Sequence, residues 1–531
     1  MASRTNKRAS RRRGSVAGLG KSRGVIGPRV ARVGGDRFGI VAVDCAKARS
    51  KWLLADFYGQ VLIGPTPVEH TRGGLDDAIG QVRGAIQEHR LADQIVAVEQ
   101  TGRYHKPLAR AFSAASLEVR LVHPLASRRY REAADPGIKT DDKDLGGIWA
   151  AATHGLALVE PKVDAFWASF QLLTRHRRDW VRKSSALCCQ IKEHLEAAMP
   201  GYAGWFPTLW EHPAALSLAL DWPVAASAVP AEAIQRAGAS ALAEHLRRKK
   251  IGFQQRTVQR VIEWSAGAAT PDVGHRWHRR IAAELEADRA AKARQIERLE
   301  RQIAAHLAAT EYVLLLSIPG INVVSAGEYA AELGPIEHYA HGRRITGRAG
   351  LYPSRYQSDQ VDRADGPLVR SGHRRLRYAL LQIAGNLMKC NLHFGALAAH
   401  WKRQGKDPRD NHIRVASRFA RISFQMVAGR QVLRHPAIQG RDCVLEKLLR
   451  FHVKHQTASE AMRTDLRAAV GQLPTGERTA EAAPLAEQLA QLHRRRRRRG
   501  VRPLAEVLPL VLAELGWGQV ESSGSGASGP A

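Results

Sequence analysis

The sequence predicts an α/β amino-terminal domain followed by long helices and a mainly α carboxy-terminal part. Three observations carry this. Short apolar runs alternate with helical patterns between about 38 and 124, and two of those runs end in an acid. Two stretches of more than 30 residues, 164–198 and 275–307, keep helical apolar spacing throughout. A further helical unit begins at LLLSIPGINVVSAGEYAAELG (314–334).

The elements of the first domain follow in order. RFGIVAVDCA (37–46) is a strand that ends at Asp44, and SKWLLADFYGQVLIG (50–64) is a hairpin with a Tyr-Gly turn between two apolar runs. GGLDDAIGQVRGAIQEHR (73–90) is a helix with Leu75, Ile79, Val82 and Ile86 on one face. QIVAVEQTG (94–102) is a buried strand ending at Glu99, RYHKPLARAFSAA (103–115) a helix, and EVRLVHP (118–124) another strand. Three strands, a helix, a strand, a helix and a strand is the order of an RNase H-like fold, placed at residues 38–156.

Residues 157–310 read as a helical, coiled-coil linker region with an insertion. Its first long helix (164–198) is basic and stops at Pro200-Gly201. Residues 201–274, rich in Trp, Pro and Ala, yield no layout. In the second long helix Ile296, Leu299, Ile303 and Leu307 have the spacing of a coiled-coil seam, and a core-packing helix would look the same. A unit at 311–400 opens with a helix, the turn Pro319-Gly320 and another helix. That turn either offers backbone N–H groups to a phosphate or is only a turn. Residues 401–531 read as a basic helical extension with the Arg block HRRRRRRG (493–500) and a flexible tail.

The balance of charge narrows the function. The chain has 531 residues with 81 Lys+Arg against 50 Asp+Glu, a net charge of +31. Such an excess draws a polyanion, with nucleic acid the expected one, by counterion release and long-range steering. No apolar run approaches the length of a membrane span, which sets aside a membrane partner. The five cysteines form no CxxC pair and no zinc spacing, as expected of a reduced, intracellular protein. Residues 1–37, rich in Arg and Lys, loosely resemble a transit peptide but lack a clear amphipathic helix; a disordered basic arm that touches nucleic acid is expected.

Against that charge, KTDDKDLGGIWAAATHG (139–155) places Asp141, Asp142 and Asp144 within four positions. Aspartates suit a helix start, where they meet free N–H groups and the positive end of the dipole. They also suit metal. Asp44 and Glu99 end strands at the sheet edge where sites form in open α/β folds. Asp141 and Asp144, three apart, share a helix side, while Asp142 points away. Four carboxylates at one edge fit two Mg²⁺ ions, which prefer oxygen ligands and can assist both the attacking and the leaving oxygen of a phosphodiester. On spacing alone a structural reading stays open, with Asp44 a loop acid and Glu99 a partner of Arg103.

VAVDCAK (41–47), VEQTGRYH (98–105) and the 139–155 stretch resemble the DEDD transposases of bacterial insertion sequences. So do LLTRHRRDWVRKSSALCCQIKEHL (172–195), SIPGINVVSAGEYAAELG and GRAGLYPSRYQSDQVDRADGPLVRSGHRRLRYALLQIA (347–384). The resemblance covers roughly 38–200 and 310–395, in the family's order. It implies a RuvC-like first domain with Asp44, Glu99, Asp141 and Asp144 as metal ligands. It also implies a serine nucleophile, here Ser358 in YQSDQ, that forms a covalent link to DNA. Further implications are a structured bridge RNA pairing with donor and target DNA, a homodimer or homotetramer for synapsis, and a cytoplasmic, nucleoid-associated bacterial protein.

The sequence departs from the family where Asp359 follows Ser358, since the family has glycine there. Ser371 keeps a Ser-Gly pair but matches a position that is not normally the nucleophile, and it is a candidate cap for the next helix. The family's Gly-Asn pair is here Gly372-His373. Arg370, Arg374, Arg375 and Arg377 are candidates to position phosphates, or form a solvated helix face, and Lys47 is a candidate nucleic-acid contact. Two alternatives to an RNA-guided recombinase remain: a RuvC-like metal nuclease with no covalent intermediate, and an inactive nucleic-acid-binding protein.

Overall fold

The computed structural model of the chain describes residues 24–159, 164–225, 228–358, 361–363, 366–369, 371–433 and 444–474. These form two compact units, divided between residues 163 and 164.

The first unit contains α1 (Gly27–Val33), β1 (Phe38–Asp44), β2 (Arg49–Asp56), β3 (Val61–Glu69), α2 (Arg72–Glu88), β4 (Asp93–Glu99), α3 (His105–Ala114), β5 (Val119–Val122), α4 (Pro124–Ala134), α5 (Asp141–Thr153) and β6 (Ala157–Val159). Its sheet order is β3-β2-β1-β4-β5-β6. The strands β1, β2 and β3 pair antiparallel, β4 lies parallel to both β1 and β5, and β6 closes the edge antiparallel to β5. This is the RNase H-like arrangement the sequence predicts.

Alternation along the strands explains the layers. Val41, Val43, Val96 and Val98 pack under Ala78 and Val82 of α2 and Leu108 and Phe112 of α3. Ile40, Ala42, Ala97 and Val122 pack under Leu145, Ile148 and Ala152 of α5, with Ile26 before α1. With both faces covered, every residue of β1 from Phe38 to Val43 is buried. The Tyr58-Gly59 turn occurs as expected, with Gly59 at φ 97° against the Trp149 ring.

Two expectations need correction. The arm expected through residue 37 is folded over its described part, 24–37. There Ile26 is buried and Arg29 of α1 holds Asp93 at 2.8 Å and Glu118 at 2.6 Å. Residues 1–23, with the rest of that arm, lie outside the described residues. The sequence also gave no hint of α4 or β6. The only fully buried residue of α4 is Ser127, so the helix carries no apolar stripe to detect.

The second unit begins with α6 (Ala165–Ala198), α7 (Tyr202–Trp205), α8 (Pro213–Leu220), α9 (Pro230–Arg248), α10 (Gln255–Ala266) and α11 (His275–Ala308). The two long helices run antiparallel: Ser169 meets His306, Arg177 meets Glu300 at 2.6 Å, and His194 meets His278 at 2.8 Å. At one end of this pair, residues 201–274 fold into short helices around Tyr202, Phe206, Leu218 and Trp264. At the other end lie α12 (Val323–Leu333), α13 (Gly342–Ala349), β7 (Tyr356–Ser358), β8 (Val361–Arg363), α14 (Arg374–Cys390), α15 (Leu392–Arg403), α16 (Pro408–Ala428), α17 (Val444–Lys454) and α18 (Ser459–Gln472).

The seam positions Leu299, Ile303 and Leu307 are buried inside this unit. Ile303 packs so tightly on Gly327 of α12 that a Cβ there would lie 2.5 Å from its Cγ2. Those positions therefore serve an intrachain core, the second of the two readings their spacing allows. The boundary expected at residue 400 also falls inside a core, because Phe419 of α16, Leu448 of α17 and Leu466 of α18 share one cluster with Leu380 of α14. The Arg block 493–500 and the tail lie outside the described residues. Among the described residues no helix is long and apolar enough to cross a membrane.

Candidate active site

The acids of the first unit reach one edge because of strand register. Val43 and Val98 are partners in the parallel β1/β4 ladder, so Asp44 and Glu99 follow at the same level on adjacent strand ends. The helix α5 brings the other acids to that unit's carboxyl edge. Thr140 caps it by accepting from the Lys143 N–H, and Leu145, Ile148, Ala151 and Ala152 dock its length on the sheet. Asp141, Asp142 and Asp144 therefore occupy its first turn, where the helix dipole favours anions.

The electrostatics show that these carboxylates share a field. The Asp44 carboxyl is pushed up to about 6 by burial first, and then by Glu99, Asp144 and Asp141. Each of the other acids has a polar partner. Glu99 accepts from Thr101 Oγ1 at 2.8 Å and from Ser127 Oγ. Asp144 pairs with Arg131, both side chains largely buried. Lys51, which faces Asp44 across the β1/β2 ladder, lies 3.2 Å from Asp142 and 3.6 Å from Asp141.

As they stand, the acids line an edge without closing on a point. Among the described residues, no three His, Cys, Asp or Glu side chains are gathered closely enough to hold an ion. Part of the reason is Arg131, whose guanidinium takes the place a cation would take on Asp144. The donor set still fits a hard divalent cation: four carboxylates, a shared field that raises one of them, and no soft ligand. Burial pushes the neighbouring Cys45 thiol up to about 12, so it offers no thiolate. Asp141 and Asp142 are both exposed and both face Lys51, so the outward position is not Asp142's alone; Asp144 is the member of the three that is largely buried. The Glu99–Arg103 pairing kept open on sequence is not what is found; the hydroxyls of Thr101 and Ser127 take that place. Lys47 is exposed just beyond Asp44.

Sequence reasoning missed Arg131, Ser127 and Lys51. The first two sit on α4, which has no periodic signal. Lys51 was findable, because the hairpin register puts it opposite Asp44.

In the second unit Ser358 is exposed at the end of β7, paired with Val361 of β8. Asp359 and Arg370 lie outside the described residues. Ser371 is exposed and does not cap α14; that cap is His373, whose Nδ1 accepts from the Leu376 N–H at 3.2 Å. Gly372 has a packing reason, since a Cβ there would lie 2.6 Å from the Ala349 carbonyl oxygen. Arg374 and Arg375 are exposed on the first turn of α14. Arg377 instead turns inward, donating to Ala349 O at 2.7 Å and Val369 O at 2.6 Å, so it fastens the segment ending at Val369, which pairs with residues 352–354, to α13.

Comparison with known proteins agrees with both halves of this layout. A family model of the DEDD IS110 type, described as Transposase, matches residues 41–200. A second, described as Transposase IS116/IS110/IS902 family, matches residues 312–399. The transposase for insertion sequence element IS1328 of Yersinia enterocolitica is 29% identical over 134 residues, which is 24% of this chain and 40% of that protein. The chain thus spans less than half the length of the curated relative it matches. The DEDD family implies a divalent metal. By its DEDD amino-terminal domain and its second transposase domain, this chain belongs to the IS110 family of transposases.

Proposed function

We propose that the chain is a Mg²⁺-dependent DNA recombinase that moves an insertion sequence through a covalent serine–DNA intermediate, guided by a structured bridge RNA. The observation that carries the reading is the shared field of Asp44, Glu99, Asp141 and Asp144 at one sheet edge, in a chain that also presents an exposed serine on a second transposase domain.

On this reading Asp44, Glu99, Asp141 and Asp144 hold two Mg²⁺ ions, which when bound supply charge stabilisation to the oxygens of a phosphodiester. The protein's own groups do the rest. Arg131 neutralises Asp144 until metal is present, and Ser127 and Thr101 orient Glu99. Ser358 Oγ bonds to phosphorus, its proton leaves to a base, and the departing DNA oxygen breaks its P–O bond and is protonated. Arg374 and Arg375 position the phosphate, while Arg377 ties α14 to Ala349 and Val369. Donor and target DNA must be held together, which calls for a homodimer or homotetramer.

A second reading is a metal nuclease that makes no covalent link. Asp359 favours it, because a carboxylate beside Ser358 repels phosphate where the family has glycine. The distinguishing experiment is product analysis with donor DNA, target DNA, Mg²⁺ and the element's RNA. Joined donor–target strands that require the RNA are expected. Hydrolysed ends alone, formed equally well without the RNA, would overturn the recombinase reading.

A further inference from the structure

Ser50 and Lys51 are neighbours on β2, and the strand turns them to opposite faces of the sheet. Lys51 reaches Asp141 and Asp142. Ser50 lies instead on the face of Trp52 and Leu54, which pack with the residues of α2. It is 1% exposed. A hydroxyl so deeply buried needs partners, and Ser50 has two. Its Oγ accepts from the Ala46 N–H at 3.2 Å and lies 2.7 Å from Nε2 of the half-buried His70. With the oxygen already accepting, its proton is assigned to Nε2, which leaves the ring proton on Nδ1.

Both partners sit at junctions. Ala46 is two residues past Asp44, and the β1/β2 ladder ends at the Asp44–Lys51 pair, so the loop after Asp44 has no further rung to hold it. The bond from Ala46 to Ser50 closes that loop from behind the sheet. His70 follows β3, where Val68 pairs with Ser50, and precedes Thr71, which caps α2 by accepting from the Gly74 N–H. Ser50 therefore ties the loop beside Asp44 to a fixed join between strand and helix. Asp44 needs such a tie. Glu99, Asp144 and Asp141 all repel its charge. A strand end that yields would carry the carboxylate out of range, because Mg²⁺ holds its oxygens at about 2.1 Å with little tolerance.

We propose that Ser50 and His70 are positioning residues for Asp44: the chain Ala46–Ser50–His70 fixes the backbone beside that acid, so that its carboxylate is preset for a divalent cation. Neither side chain is itself a ligand. This rests on the metal reading of the acids and not on the covalent step at Ser358.

The test is the affinity of the full-length chain for Mg²⁺ by titration calorimetry, with the paramagnetic resonance spectrum of bound Mn²⁺ as a second probe of ligand geometry. Ser50→Ala removes both hydrogen bonds and is expected to weaken Mg²⁺ binding about 10- to 100-fold, the usual range for groups that orient a metal ligand. Ser50→Thr keeps the hydroxyl and should restore binding. His70→Leu should lose about tenfold, and His70→Gln, whose amide oxygen can take the same hydrogen bond, should recover it. Val82→Ala truncates the core of the same unit far from the acids in sequence; it should lower the unfolding midpoint and leave the affinity unchanged. Should Ser50→Ala fail to fold, the His70 pair decides alone. Wild-type affinity in both Ser50→Ala and His70→Leu would overturn the proposal, as would an equal loss in Val82→Ala or losses that neither conservative variant recovers. A loss in Ser50→Ala alone would overturn the part assigned to His70. Wild type with no saturable Mg²⁺ binding would overturn the metal reading itself, and the proposal with it.

Discussion

Replacing Asp44 by Asn should stabilise the metal-free protein and destabilise the metal-loaded one. Asp44 goes from an ordinary 3.8 in the unfolded chain to about 6 in the folded one. Between those values the unfolded chain has lost this proton and the folded chain has kept it, so stability falls as pH rises through the window. Above pH 6 the penalty is complete, at about 3 kcal/mol from ~1.4 kcal/mol per tenfold change in proton affinity. Asn carries no such charge. In EDTA, Asp44→Asn should therefore exceed wild type by up to about 3 kcal/mol at pH 7.5, about half that at pH 5, and almost nothing below pH 4. Metal reverses the order, because wild type gains about 4.1 kcal/mol when free Mg²⁺ reaches a thousand times its Kd, more than the penalty it carries. Urea unfolding of the two proteins at three pH values, with EDTA and with Mg²⁺, reads both effects. An Asn variant less stable than wild type in EDTA at pH 7.5 would refute the shared-field argument. An order unmoved by Mg²⁺ would refute the metal assignment.

Other expectations follow from named contacts. Arg131→Gln leaves Asp144 largely buried and unpaired, so metal-free stability should drop by about 3 kcal/mol in denaturant melts. The same change should tighten Mg²⁺ binding in calorimetry, because the competing cation is gone. Gly372→Ala drives a Cβ into the Ala349 carbonyl and should cost about 1–3 kcal/mol, whereas Ser371→Ala should stay within about 0.5 kcal/mol. His373→Ala should lose about 1 kcal/mol as the cap of α14. If Ser371→Ala is the more damaging of these in thermal melts, the capping assignment is wrong.

What the sequence made legible follows signal strength. Asp44 and Glu99 could be read because each ends a run of buried residues, a pattern that only a sheet with two covered faces produces. The helix α6 was placed to within a residue by its long apolar period and the Pro200-Gly201 stop. By contrast α4 hides its role, since the side chains it contributes, Ser127 and Arg131, are polar and face the acids. Most helices between 202 and 266 are short, and α9 breaks at Gly238 with φ 71°, which interrupts its period; α10, with Val258, Val261 and Trp264 buried on one face, did have a readable one. Arg377 shows a different limit. In RRLR all three arginines look alike, and only the carbonyls of Ala349 and Val369, brought close by the fold, separate it from Arg374 and Arg375. The partners of Leu299, Ile303 and Leu307 are likewise distant in sequence, so spacing alone could not tell an intrachain core from a dimer seam.

The most direct test of the account is covalent trapping. Purified protein is incubated with its element's RNA, labelled donor and target DNA and Mg²⁺, then separated on a denaturing gel, with Ser358→Ala, Ser371→Ala and Asp44→Ala alongside. The account predicts a protein–DNA adduct in wild type and Ser371→Ala, and none in Ser358→Ala or Asp44→Ala. DNA cleavage with no adduct, indifferent to the loss of Ser358, would contradict it.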